Sequence, residues 1–398
     1  MNRLLAATAA LATLAYGADA HAGGFELADQ SASASGTASA ATAKQGDPSA
    51  AWFNPAAVAD GKGFRGMVGT TLVFPSLHAE ASDGRWSADS DIDVAPPPYA
   101  YAAVADGPWA LGVSANLPFG SSVKWPANWT QRFEILEARP QFLRVAPFFA
   151  WNFGMVRVAA GPHIDMGSFE LRRGLDFVND EGNVHVKTSG FGFGGHAAVF
   201  VEPTADVAIG LTYKSRTKVD LDGRADFTVP LSFAATAPDQ SVSTSLTLPD
   251  RITLGGAVTF GKLQAFADVG LTLWSVNKQL VLDFKDPNTP DVIQRNNWST
   301  SFTARTGAEY TLWDMWALRL GVFYDMTPVP VSTLAPSAPD SDRVGFTAGS
   351  GIVWNGFGLD AFYGVTLLTG AESEGTEAPA ATYDGVLHMV GVALSYRQ

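Results

Sequence analysis

The chain has 398 residues and a formal charge of −13 with no Lys/Arg cluster, which argues against nucleic acid as a partner. It has no cysteine, so no disulfide can hold it together, and its six histidines show no metal-ligand spacing. Although 46% of its residues are hydrophobic, no run of about 18 apolar residues occurs past the N-terminal segment, which excludes helical membrane spans.

Residues 1–22 read as a secretory signal peptide. One positive charge at Arg3 precedes an apolar, Ala-rich stretch from Leu4 to Ala18, and Ala20-His21-Ala22 is a small-x-small cleavage site. The mature chain is expected to start at Gly23. Residues 23–62 then show neither strand alternation nor helical periodicity. Small residues dominate (Ser31-Ala32-Ser33-Ala34-Ser35-Gly36), and a bulky pair, Trp52-Phe53, precedes Asn54-Pro55-Ala56. The few charges and the aromatic pair argue against a disordered linker.

From residue 63 onward the chain alternates. In Val207-Ala208-Ile209-Gly210-Leu211-Thr212-Tyr213-Lys214 the large apolar residues take the odd positions and small or polar ones the even. Such a strand has one greasy and one polar face. About fourteen strands are expected, near 64–76, 92–105, 108–120, 139–152, 155–174, 184–202, 205–228, 242–260, 262–285, 297–312, 315–327, 342–354, 357–369 and 384–397. Short turns (Asp106-Gly107, Phe153-Gly154, Pro203-Thr204, Gly261, Trp313-Asp314, Asn355-Gly356) alternate with long polar or Pro-rich loops. Aromatics gather at strand ends: Trp274, Trp313, Trp316, Tyr324, Trp354, Tyr363 and Tyr396. Segment length, interfacial aromatics and long–short alternation together predict an all-β, membrane-spanning, antiparallel up-and-down barrel rather than a soluble sandwich. An even strand count puts both ends in the periplasm. A barrel this wide is not filled by its own side chains, so 23–62 is expected to plug it, with Trp52, Phe53, Asn54, Pro55 and Ala56 as anchors and bend.

The motifs, taken in order, resemble the FadL-type outer-membrane transporters of long-chain fatty acids and other hydrophobic compounds, a family that includes toluene and xylene channels. Gly24-Phe25-Glu26-Leu27, Gln30-Ser31-Ala32-Ser33 and Asn54-Pro55-Ala56 are similar to that family's N-terminal hatch. Leu117-Pro118-Phe119-Gly120, Glu202-Pro203-Thr204-Ala205-Asp206, Leu248-Pro249-Asp250 and Trp274-Ser275 follow. The strongest match runs from Leu318-Arg319 through Tyr324-Asp325-Met326-Thr327-Pro328-Val329-Pro330 to Pro339-Asp340-Ser341-Asp342-Arg343. The closing Gly391-Val392-Ala393-Leu394-Ser395-Tyr396 is similar to the signal read by barrel-assembly machinery, with Arg397-Gln398 added after the aromatic.

The resemblance implies a bacterial outer-membrane location and a passive route for hydrophobic small molecules, with no enzyme activity and no cofactor. Lateral exit is implied at a kink in the third strand, at Pro118 and Gly120, where proline removes a ladder donor and glycine loosens the backbone. Trp125 and Trp129 would line an extracellular groove or belong to the aromatic girdle. Side-chain parity on 155–174 points Arg157, His163, Asp165, Phe169, Leu171 and Arg173 into the lumen and Val156, Val158, Ile164 and Met166 to lipid. The resemblance makes Arg173 a head-group cation, with Arg295 near a second family lysine. Arg173 could instead be paired with Asp165 or Glu170. One retained cation would favour a neutral aromatic hydrocarbon over a fatty acid. Other expected partners are outer-membrane lipid and lipopolysaccharide, with the protein a monomer. An outer-membrane lipase finds no Ser/His arrangement here, and an adhesin would need longer loops. Gly190-Phe191-Gly192-Phe193-Gly194-Gly195 fits a nucleotide-loop spacing, but it lies within a strand.

Overall fold

Alternating side chains need a sheet whose two faces meet different surroundings, and a closed sheet gives that without leaving an unpaired edge. The computed structural model, which describes residues 24–91, 96–177, 179–376 and 378–398, has that form. The signal-peptide reading of 1–22 lies outside these residues, as do positions 92–95 of the expected second strand.

The wall is a closed barrel of 14 antiparallel strands. They are β1 (Gly63–Ala81), β2 (Pro98–Asp106), β3 (Trp109–Gly120), β4 (Glu137–Asn152), β5 (Val156–Asp176), β6 (Glu181–Thr204) and β7 (Val207–Lys214 with Thr217–Thr228). There follow β8 (Gln240–Leu248 with Arg251–Phe260), β9 (Leu263–Thr272 with Gln279–Phe284), β10 (Ser301–Leu312), β11 (Trp316–Asp325), β12 (Arg343–Trp354), β13 (Phe357–Glu372) and β14 (Ala381–Arg397). Each strand pairs with its sequence neighbours, and β1 closes on β14, from Arg65 opposite Arg397 to Ala81 opposite Ala381. Short turns mark one end of the barrel, here called the lower end. The turn expected at Pro203-Thr204 falls two residues later, at Ala205-Asp206, because β6 runs on to Thr204.

Three strands expected to be continuous are broken at Ser215-Arg216, Pro249-Asp250 and Leu273–Lys278. Pro249 cannot donate to a ladder. Asp250 replaces the missing bonds through its side chain, accepting the Arg216 amide at 3.0 Å, the Arg216 Nε at 2.6 Å and the Tyr213 hydroxyl at 2.7 Å. The break in β7 also switches parity. Ile209, Leu211 and Tyr213 are exposed below it, whereas Val219 and Leu221 are fully buried above it. At Leu273–Lys278 a 3-10 turn carries Trp274 inward to full burial, so Trp274 is not a girdle aromatic. Trp313, Trp354 and Phe357 are exposed at the lower turns, as a girdle requires.

Residues 24–62 pack inside the barrel. Two short helices, α1 (Ala32–Ser35) and α2 (Ala50–Phe53), are followed by a 3-10 turn at Pro55–Val58. Propensity cannot hold pieces this short; their small side chains fit them to the confined lumen. Where the insert presses on the wall, the wall has no side chain. A Cβ at Gly321 would come within 2.4 Å of the Ala38 nitrogen, and one at Gly307 within 2.6 Å of Thr37.

Candidate functional site

The lower lumen is polar, and its charges hold the insert. Asp268 on β9 accepts the amides of Ala41 and Thr42 at 3.1 and 2.9 Å and the Thr42 hydroxyl at 2.6 Å. Lys44 pairs with Glu309 at 2.9 Å; Arg319 bridges Glu309 and Asp360, each at 2.6 Å. Arg305 holds Asp325 with two bonds of 2.7 and 2.9 Å and donates to the Ala38 carbonyl at 3.2 Å. Arg251 and Thr272 hold Glu26, and Arg397 donates to the Gly46 carbonyl. Burial alone would raise the Asp47 carboxyl. The Lys44 ammonium, the Ser33 and Ser49 hydroxyls and the Ser49 amide outweigh burial and hold it below the usual range. Sequence reading missed these wall residues. Their signal is a charge at an inward parity position, as in Leu318-Arg319-Leu320 or Leu359-Asp360-Ala361.

Asn54-Pro55-Ala56 forms the joint of the insert. The Asn54 side chain accepts the Ala56 amide at 3.1 Å, capping the turn, and donates to the carbonyls of Thr42 and Val199 at 2.9 and 3.1 Å. Trp52 is buried, and the Lys214 ammonium lies 3.3 Å from its ring centroid. Phe53 is half-buried beside it.

Pro118 and Gly120 sit where the upper end of β3 meets the start of the insert. The ladder between β3 and β4 slips between Asn116 and Phe119. On the same stretch, Leu27 donates its amide to the Pro118 carbonyl at 2.8 Å, and Gly120 donates to the Phe25 carbonyl at 2.9 Å. The insert therefore adds a short bridge to the kinked strand. A cavity of about 390 Å³ opens beside it, lined by Phe25, Leu27, Leu77, Pro97, Gly120 and Leu387 among others. The Phe25 ring is boxed by Trp274 at 4.7 Å, Trp298 at 5.7 Å and Phe119 at 6.0 Å.

Higher in the lumen the inward face turns apolar. A second cavity, of about 230 Å³, is lined by Leu171, Val184, Val186, Leu280, Leu282 and Ile293, with Arg173 and Arg295 on it. The fold thus brings together the two arginines, 122 positions apart in the sequence (295 − 173). Arg173 Nε donates to the Phe133 carbonyl at 2.5 Å. Its alternative partners are engaged elsewhere: Asp165 takes Arg144 through bonds of 2.7 and 2.9 Å, and Glu170 takes His185 at 2.6 Å. Phe169 is buried in the same upper apolar core without lining this cavity. His163 is not brought to it. Ten residues lower on β5, roughly 33 Å along the strand, it meets the Thr217 hydroxyl at 2.9 Å and stacks on His196. Trp125 and Trp129 stack on each other at 4.7 Å, are buried, and donate their indole N–H groups to the carbonyls of Pro336 and Ile135. They are core residues of the loop cap and face neither lipid nor either cavity.

The sequence profile of the family described as outer membrane protein transport protein (OMPP1/FadL/TodX) matches residues 13–394. Outer membrane protein NMB0088 of Neisseria meningitidis is 24% identical over 400 residues, covering 85% of this chain and 84% of that protein. The long-chain fatty acid transport protein of Escherichia coli K12 is 27% identical over 182 residues, covering 43% of this chain and only 40% of its own length. Among solved structures, a Pseudomonas aeruginosa FadL homologue superposes with a TM-score of 0.83 at 20% identity, over 94% of this chain and 99% of that one. The Ralstonia pickettii toluene transporter TbuX superposes at 0.68 with 19% identity, over 88% of this chain and 93% of that one. The chain belongs to the OmpP1/FadL/TodX family of bacterial outer-membrane transporters of hydrophobic compounds.

Proposed function

We propose that this barrel passes amphiphiles with an anionic end, of the long-chain fatty acid class, across the outer membrane. The observation that carries this reading is the upper cavity, where two arginines from distant parts of the chain border a chamber walled mainly by apolar side chains, with Glu134, Gln294, Thr333 and Ser337 also on it. Apolar walls take a hydrocarbon chain at about 0.8 kcal/mol per methylene. Arginine suits a carboxylate because its N–H groups match both oxygens. The cavity beside Gly120 is a second apolar station, and exit through the wall there would spare the hydrocarbon from water. The insert, held by buried charges, would act as the plug that keeps water and polar solutes from following.

The test is binding of radiolabelled oleate and toluene to the delipidated protein. In Arg173→Gln/Arg295→Gln, loss of charge-assisted bonds worth about 1.5–3 kcal/mol should weaken oleate binding tenfold or more and leave toluene unchanged. Equal oleate affinity in the variant, with toluene bound by both, would replace this reading with a neutral aromatic substrate.

A further inference from the structure

We infer that the outward face of β4–β7, above the upper aromatic residues, is a docking surface for the phosphorylated glycolipid of the outer leaflet. Lower on β5 and β6 the outward residues are those of a lipid-facing wall, whereas at that height on β7 the exposed Lys218 and Asp220 pair at 2.7 Å, with Asp220 opposite Phe191. Ile164 and Met166 lie on β5, and Phe191 and Phe193 on β6 are 60% and 70% exposed. Immediately above, the chemistry changes. Gln141, Ser168, Ser189 and Asp222 stand opposite one another as a cross-strand row. The next outward row is Arg139, Glu170, Lys187 and Arg224, three cations and one acid on four adjacent strands. The Lys187 and Arg224 side chains are 62% and 67% exposed. The inward residues of the same segments, Val186, Leu221 and Ala225, are fully buried, so the charges point away from the lumen.

The heights fit a lipid headgroup. Lys187 lies four residues beyond Phe191, roughly 13 Å along the strand, and the row of Gln141, Ser168, Ser189 and Asp222 lies between them. Acyl chains would rest on the phenyl rings, sugars on the short hydroxyl side chains, and phosphates on the cations. Four strands span roughly 15 Å, enough for a diglucosamine with a phosphate at each end. The cations have protein partners: Arg139 holds Glu137 at 3.0 Å, while Lys187 to Glu170 at 3.7 Å and Arg224 to Asp226 at 3.6 Å are looser. Exposed pairs of this kind contribute little and yield to a doubly charged phosphate. An outward row on β11, β12 and β13, by contrast, is the uncharged Tyr324, Val344 and Leu367. In a chain of net charge −13, a local cation row continuous with the membrane belt selects an anionic occupant of that membrane.

The full-length folded barrel in detergent can be titrated with purified lipid A by native mass spectrometry, with phosphatidylglycerol as the second probe. Lipid A should bind the wild type in preference to phosphatidylglycerol. Lys187→Gln/Arg224→Gln should weaken lipid A binding at least tenfold while heat-modifiable migration and hydrophobic-substrate uptake stay normal. Glu170→Gln, which removes the only acid of the row, should strengthen binding. Undiminished lipid A binding by the double variant would overturn the assignment. So would equal retention of both lipids by the wild type, which would mark a general anionic surface.

Discussion

The lower and upper halves of the lumen are built from opposite chemistry. Below the kink in β3, inward positions carry Asp268, Arg305, Glu309, Arg319 and Asp360; the insert bonds the first three, and Arg319 ties Glu309 to Asp360 within the wall. Above it, inward positions carry Leu171, Val184, Val186, Leu246 and Leu282, and cavities remain between them. Buried charges need fixed partners, because an unpaired one is costly. Aliphatic walls need none and accept whatever hydrocarbon enters. The lower half is thereby committed to holding its own chain, and the upper half keeps open space between its walls.

The largest test removes one side of the contrast. Deleting residues 24–60 leaves a bore that wall side chains do not fill. Single-channel conductance should rise at least severalfold, and cells should become sensitive to large antibiotics. Unchanged conductance would mean that the wall itself closes the lower half.

The next strikes a single joint in that half. Arg319→Met leaves Glu309 and Asp360 facing each other with one cation fewer. Breaking a buried ion network in this way costs about 3–5 kcal/mol. Lys44, buried in the native insert, reports the loss: trypsin cleavage after it should accelerate at least a hundredfold. A cleavage rate equal to that of the wild type would show that the charges do not hold the insert.

How far the sequence discloses this division depends on parity. Alternation on β5 places Arg157, His163, Asp165 and Phe169 inward, and all are buried in the barrel. The strand count and the lower turns are legible for the same reason, since a period of two is set by backbone geometry. The rule fails at the breaks in β7 and β8. Odd parity carried upward from Val207 would send Val219 and Leu221 to lipid, but the jog at Ser215-Arg216 turns them inward. The apolar upper lumen is therefore hidden from a continuous reading. Pairing across long sequence distances is equally invisible: nothing local joins Arg173 to Arg295, or Asp268 to Thr42. The pairing of the insert with β3 is hidden too, so strand-favouring residues at Pro118 and Gly120 cannot simply seal the wall there, because Phe25–Leu27 already meets that edge.

A third test therefore fills space instead of changing propensity. A Cβ at Gly120 would meet nothing nearer than the Leu27 Cδ1 at 3.4 Å, and this glycine lines the lower of the two cavities. Gly120→Leu should fold normally and crowd that cavity. Uptake of the hydrophobic substrate should fall about tenfold, the effect of a barrier raised by about 1.4 kcal/mol. Binding at the Arg173 cavity should be untouched. If uptake stays normal, the route does not pass Gly120.

The smallest effect sits where the two chemistries touch. Lys214 points inward from β7 just below its break, and its ammonium lies over the Trp52 ring of the insert. A cation over an indole face is held more strongly than one over a phenyl ring, by an amount on the order of 0.5 kcal/mol. Trp52→Phe keeps an aromatic ring against Lys214 but weakens that attraction. Cleavage after Lys44 should accelerate only about twofold, since a loss on the order of 0.5 kcal/mol changes the released population by that factor. The indole also fills more space than phenyl, so packing must be separated from the cation–π contact. Repeating the substitution in a Lys214→Met background does this, because the ring change then has no cation to lose. The Trp52→Phe effect should disappear in that background. If it persists undiminished, packing alone seats Trp52, and the ammonium adds nothing to holding the insert.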